Sequence, residues 1–277
     1  MIGAIIGDVV GSRFEFVDDV RRPKDFALFT SRCDITDDSL MTLAVADALV
    51  RSKGDRATLG KQTVASMKRI AHKYPNTGWG EGFHRWLFKE SDPKPYNSFG
   101  NGAGMRISPV GWIAESEDDV KELSKIVTEV SHNHPEGIKG AEAVAMAVYL
   151  ARIGKDKDYI RLRMQEYYPQ LCDKSFTIAN IHGRYGYDDA GSWVTCQGSI
   201  PQALIAFLDS EGFEDAIRNA VCIGGDSDTI GAMTGSIAAA YYGVPFKIEA
   251  KAMTFLPDDL RGIFFAFEMI RKRRVGR

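Results

Sequence analysis

Thr36-Asp37-Asp38-Ser39-Leu40-Met41-Thr42-Leu43-Ala44-Val45-Ala46-Asp47-Ala48-Leu49-Val50 sets the pattern of the chain: oxygen-bearing side chains lead straight into an apolar run. Within it, Leu40, Leu43, Ala44, Asp47 and Ala48 fall along one side at helical spacing. The other positions are mostly apolar too, so 39–50 reads as a helix buried on most faces. Helical spacing recurs over 59–72, 120–130, 136–153, 200–208, 213–222, 230–242 and 259–272. No run alternates apolar and polar residues between turn dipeptides, so the hairpin signal is missing. The expectation is an all-α fold. Four segments resist helix, 17–35, 74–80, 92–104 and 172–194; loops of this kind on a rigid scaffold are where function concentrates.

With 277 residues, 44% of them hydrophobic, the chain can bury a substantial core without disulfides. No linker, low-complexity run or solenoid repeat divides it, which predicts one domain over 1–277. A net charge of −2 gives no general pull towards nucleic acid or an anionic membrane. The basic run Arg271-Lys272-Arg273-Arg274 reads as the favourable end of a final helix, and Arg13 as a surface charge. Cys33, Cys172, Cys196 and Cys222 are scattered, as expected for reduced thiols in a cytoplasmic protein. The apolar start meets Asp8 too early for a signal peptide. The uncharged stretch 229–246 is short for a membrane span and ends at Gly243 and Pro245, so it reads as a core helix.

At Thr36-Asp37-Asp38-Ser39 a loop gives way to the apolar run. Helix capping alone would account for it, since such residues satisfy free N–H groups and complement the dipole. The same form returns at Gly224-Gly225-Asp226-Ser227-Asp228-Thr229, ahead of the apolar run from Ile230. A cap needs one acceptor and this segment supplies several, so capping explains less of it. Hard divalent cations such as Mg²⁺ or Mn²⁺ take oxygen ligands, which Asp carboxylates and Thr hydroxyls provide. Two such junctions facing each other could share one or two cations, which would neutralise an otherwise costly crowding of like charge. An EF-hand starting at Asp226 fails, because Ile230 and Ile237 fall at its fifth and twelfth positions, where ligands are required. The histidines form no HExxH-like arrangement.

The segment from Asn97 to Arg106 carries three Gly and two Asn and is too irregular for helix before Met105. N–H groups exposed ahead of a helix attract anions, which suits a phosphate-cradling loop. Neither GxxxxGK[ST] nor a complete GxGxxG is present, so the common nucleotide folds are excluded. His132 and His134 could be bases or helix-entry residues before Pro135; His134 is the ligand-contact candidate.

Five segments in order then give the chain a wider likeness. They are Gly3-Ala4-Ile5-Ile6-Gly7-Asp8-Val9-Val10-Gly11-Ser12 with Phe14-Glu15-Phe16, Thr36-Asp37-Asp38-Ser39, Gly100-Asn101-Gly102-Ala103-Gly104-Met105-Arg106, Ser131-His132-Asn133-His134-Pro135, and Gly224-Gly225-Asp226-Ser227-Asp228-Thr229-Ile230-Gly231. With these, and Ala240-Tyr241-Tyr242-Gly243 near its end, the chain resembles the ADP-ribosylglycohydrolase family, which includes the dinitrogenase reductase activating glycohydrolases. The resemblance implies a compact, all-α, single-domain orthogonal helical bundle holding two Mg²⁺ or Mn²⁺ ions. It implies Thr36, Asp37, Asp38, Asp226, Asp228 and Thr229 as metal ligands, with Ser227 a spacer. Glu15 matches a glutamate on a mobile segment over the metals, there to close the site or assist proton transfer.

The resemblance also assigns the loop Gly100, Asn101, Gly102, Ala103, Gly104 and Met105 to the diphosphate and distal ribose of ADP-ribose. Members often have a serine where Ala103 stands. Tyr185, Tyr187 and Trp193 offer flat faces for stacking adenine, or packing anchors. The implied activity is metal-dependent hydrolysis of the N- or O-glycosidic bond of an ADP-ribosylated protein or small ADP-ribosyl substrate, releasing ADP-ribose. Nucleic acid enters only as a modified substrate, no membrane is involved, and the chain can act as a monomer. Glu15, Asp37, Asp38, Asp226 and Asp228 would carry the chemistry, around an oxocarbenium-like transition state. The alternatives are a metal-dependent phosphohydrolase, which would release AMP or phosphate, and a non-catalytic ADP-ribose-binding protein, which would be expected to lose such acids.

Overall fold

The computed structural model describes residues 1–15, 17, 23–181 and 193–275. Among them the chain forms helices and no strand. In order these are α1 (Ile2–Gly11), α2 (Asp37–Ser52), α3 (Arg56–Lys73), α4 (Glu81–Phe88), α5 (Gly102–Met105), α6 (Ser108–Ile113), α7 (Glu117–Thr128), α8 (Pro135–Arg152), α9 (Lys157–Gln165), α10 (Ile178–Ile181), α11 (Cys196–Leu208), α12 (Phe213–Ile223), α13 (Ser227–Tyr242), α14 (Phe246–Ala252) and α15 (Asp258–Val275). One antiparallel bridge joins Gly100 to Thr195. Among the described residues no helix is long and apolar enough to cross a membrane.

The core is built on α1 and α13, and glycine decides how close they come. A Cβ on Gly7 would lie 1.9 Å from the Gly231 oxygen, and one on Gly3 would lie 2.0 Å from the Gly235 oxygen. The two backbones are in contact there, and no side chain larger than hydrogen fits. All of α1 from Gly3 to Gly11 is buried. At its end a Cβ on Gly11 would meet the Asp228 backbone, so the crossing also sets α1 against the first turn of α13. Around this pair, α2, α8, α11 and α12 close one continuous apolar cluster.

The helices extend the expected spans at several ends. α2 begins at Asp37 and α13 at Ser227, so both acidic segments reach into first turns. The glycine loop turns helical at Gly102, three residues before Met105, because it starts a short turn from Asn101. Sequence spacing also missed α1, whose unbroken apolarity shows no stripe, and α9, which buries only Ile160 and Met164. Arg13 is not a free surface charge: its guanidinium lies 4.3 Å from the Phe14 ring centroid and donates to the Ala27 carbonyl and, at 3.3 Å, to Thr30 Oγ1. It thereby ties the end of α1 to the segment before α2. The final helix does end on Lys272, Arg273 and Arg274, as its dipole favours. None of the four cysteines is in a disulfide; Cys172 is exposed and the others are buried.

Candidate active site

Three helix ends converge on one cluster of acids. Asp8 comes from α1; its Oδ2 accepts from the Thr36 and Ser39 N–H groups, each at 3.0 Å, and its Oδ1 accepts from Thr36 Oγ1 at 2.7 Å. Thr36 Oγ1 in turn accepts from the Asp38 N–H at 3.3 Å. Capping of α2 is therefore done by Thr36 and Asp8, and Asp38 is not needed for it. Asp38 Oδ1 is buried with no partner, while its Oδ2 accepts from Thr229 Oγ1 at 3.2 Å across to α13. On the other side Asp226 Oδ2 accepts from Asn101 Nδ2 at 2.6 Å. The turn delivering Asp226 uses Gly224 and Gly225 at φ of 86° and 73°, a region costly for other residues.

Two sets of carboxylates offer oxygens within 4.8 Å of one another: Asp8, Asp38 and Asp228, and Glu15, Asp226 and Asp228. Asp228 belongs to both. Asp37 lies on the wall of the same cleft, of about 340 Å³, with Glu15, Asp38, Asp226, Asp228 and Thr229. Burial raises the acids: Asp8 to about 6, Asp226 above its ordinary range, and Asp37, Asp38 and Asp228 well above it, the last three also because their neighbours are acids. Glu15, exposed at the mouth, is raised to about 7 by lost solvation, Asp226 and Asp8. Two ionised carboxylates at this spacing repel by roughly 3–4 kcal/mol at an effective dielectric of about 20. The N-terminal dipoles of α2 and α13 offset only about 0.3–1 kcal/mol each. The repulsion wins, so full ionisation needs a cation. The hard oxygen donors, the orphaned Asp38 Oδ1 and the shared Asp228 fit Mg²⁺ or Mn²⁺.

The glycine-rich turn forms another part of the wall, where Gly100, Asn101, Gly102 and Met105 line the cleft. Ala103 and Gly104 do not; both are buried, Gly104 against Met233 and Ile200. Asn101 Nδ2 also reaches the Trp193 carbonyl at 3.0 Å and Ser199 Oγ at 2.9 Å, so one side chain ties this turn to the acids and to α11. His132 lines the cleft. His134 instead caps α8, accepting from the Glu136 N–H at 3.1 Å, with its ring 5.1 Å from that of Phe99. Trp193 is buried against Gly225, which leaves it no open face for a base; Tyr185 and Tyr187 lie outside the described residues. Sequence reasoning missed Asp8, though Gly3, Gly7 and Gly11 at four-residue spacing mark α1 as a close-packing helix. A larger cavity, about 540 Å³, opens between the α2–α3 turn and α15. Its Arg56 and Asp119 pair with each other, and neither acid set lines it.

An all-α fold with buried acids meeting at two helix starts beside a glycine-rich turn agrees with what the chain matches. It belongs to the ADP-ribosylglycohydrolase family, matched over residues 1–254, and is a hydrolase of that family. Among curated relatives it is 25% identical to the ADP-ribosylhydrolase ARH3 of Homo sapiens over 88% of this chain and 84% of that protein. It is 26% identical to that of Danio rerio, covering 88% and 82%. To the ADP-ribosylarginine hydrolase Tri1 of Pseudomonas putida it is 25% identical, covering 88% and 70%. A solved structure described as an ADP-ribosylglycohydrolase-related protein complex shares the fold, with TM-score 0.70, 21% identity and coverage of 98% and 97%.

Proposed function

We propose that this hydrolase cleaves the N- or O-glycosidic bond between ADP-ribose and a protein side chain or small leaving group, using two Mg²⁺ or Mn²⁺ ions. The observation carrying this is the pair of carboxylate sets joined at Asp228. Asp8, Asp38 and Asp228 would hold one cation and Glu15, Asp226 and Asp228 the other, with Asp37 and the Thr36 and Thr229 hydroxyls beside them. When bound, such ions orient ribose hydroxyls and acidify a water near the anomeric carbon.

The protein's own groups supply the rest. Gly100, Gly102 and Met105 shape the wall for the diphosphate and distal ribose, and Asn101 holds Asp226 in place. Glu15, raised to about 7 at the mouth of the metal-free site, carries the proton that the second cation would displace near neutral pH. The relatives' names support ADP-ribosyl bonds as the class of substrate. The test is a panel of defined ADP-ribosylated substrates incubated with Mg²⁺ or Mn²⁺, with products separated. Intact ADP-ribose is expected. AMP or phosphate would instead identify a phosphohydrolase, and ADP-ribose binding without turnover a non-catalytic member.

A further inference from the structure

Arg106 is 1% exposed, lines the cleft and carries two nitrogens, Nε and Nη1, without partners. No carboxylate pairs with it among the described residues. Its Nη2 donates to Ser131 Oγ at 2.8 Å and faces His132 Nδ1 at 3.3 Å, and its guanidinium carbon lies 5.3 Å from the Phe83 ring centroid. Resting on the proposed reading of the cleft, we infer that Arg106 is a positioning residue for His132. With Ser131 it fixes the imidazole in the neutral form protonated at Nε2, presenting an N–H donor beside the Gly100–Gly102 turn to a phosphate or ribose oxygen of the ligand.

The assignment follows from which atoms can only donate. A guanidinium has no acceptor, so the His132 nitrogen facing it must offer a lone pair. Ser131 Oγ already accepts from Arg106 and has one proton left, which it directs to the same Nδ1 at 2.9 Å. Both neighbours of Nδ1 are therefore donors, and the ring proton resides on Nε2. Burial and the Arg106 charge hold the ring well below the ordinary histidine range, which keeps it neutral. The Phe83 and Tyr96 rings, with centroids 6.1 Å and 5.8 Å away, flank it nearly edge-on. Glycine keeps the donor open: a Cβ on Gly102 would sit 3.3 Å from Nε2, and one on Gly100 3.6 Å. A neutral Nε2–H donor suits an acceptor oxygen and is unsuited to taking a proton from water. The geometry thus makes His132 a ligand holder and not a base.

The test is a two-bond proton–nitrogen spectrum of histidine-labelled protein, with His132 assigned from His132→Gln. An unprotonated Nδ1 and a protonated Nε2, unchanged between about pH 5.5 and 8, are expected. In Arg106→Met, and in Arg106→Met combined with Ser131→Ala, both checked for folding by circular dichroism, the spectrum should move towards a tautomer mixture. ADP-ribose affinity, by calorimetry, should fall about tenfold in each. A protonated Nδ1, or an imidazolium appearing in that pH range, overturns the donor assignment. An unchanged spectrum in both folded variants overturns the role of Arg106. Failure of wild-type protein to bind ADP-ribose would count against the proposed ligand, while the spectra would still decide the tautomer.

Discussion

Asp228 is the residue on which the site depends most, because it is common to both carboxylate sets. Asp228→Ala should lose both Mn²⁺ sites in a calorimetric titration and lower turnover by more than about 100-fold, beyond the usual cost of losing a group that merely orients a ligand. Asp8→Asn should lose one site and keep the other; loss of neither in the two variants would separate these acids from the metals. Asn101→Ala should lower metal affinity or turnover about 10- to 100-fold through Asp226, alongside a moderate drop in melting temperature from the unpaired Trp193 carbonyl and Ser199 hydroxyl. A large drop in melting temperature at unchanged turnover would make Asn101 a packing residue only. The acids after Thr36 and Gly225 were legible because they crowd together in sequence. Asp8 was not, since it stands alone in an apolar run and meets Thr36 and Ser39 at the start of α2, and Asp228 on α13, only when the three helices pack. His134 drew attention through its neighbour Pro135, which marks it as the cap it is, while His132 gave no local sign of facing the cleft.

At the scale of elements, the crossing of α1 and α13 carries the site, and its tolerance is small. Gly7→Ala would drive a methyl into the Gly231 backbone, which cannot rotate away; the expected cost is about 3 kcal/mol or more, with metal binding weakened as Asp8 shifts. Gly262→Ala in α15, where a Cβ meets nothing within 4 Å, should be neutral or stabilising by up to about 1 kcal/mol. Chemical denaturation of the pair checks this, and equal midpoints would remove the close crossing from the account. Helices with an apolar stripe or a capped start, such as α2 and α7, could be read from spacing. Those without one, such as the uniformly apolar α1, could not, and neither could the pairing of helices more than 200 residues apart.

Over the whole molecule, metal and protons compete for the same oxygens. A carboxylate with a raised pKa stabilises the folded state at low pH, and that contribution is lost as pH rises through the folded value. Here this applies to Asp8 at about 6 and Glu15 at about 7. The buried Met1 amine, lowered to about 4, and His132, also lowered, act in the opposite sense with or without metal. The informative quantity is therefore the difference. The rise in melting temperature on adding a fixed concentration of Mn²⁺ to chelated protein should grow from about pH 5 to about pH 8, the stabilisation behind it being about 2.7 kcal/mol per site where Mn²⁺ stands at 100 times Kd. A rise that shrinks with pH would contradict it. The central claim is tested most directly by ADP-ribose release from an ADP-ribosylated substrate, measured before and after Mn²⁺ is restored to chelated wild-type protein and to Asp38→Ala. Activity abolished by chelation, restored in the wild type and absent in the variant is the expected result; full turnover by the chelated protein, or by Asp38→Ala, would contradict it.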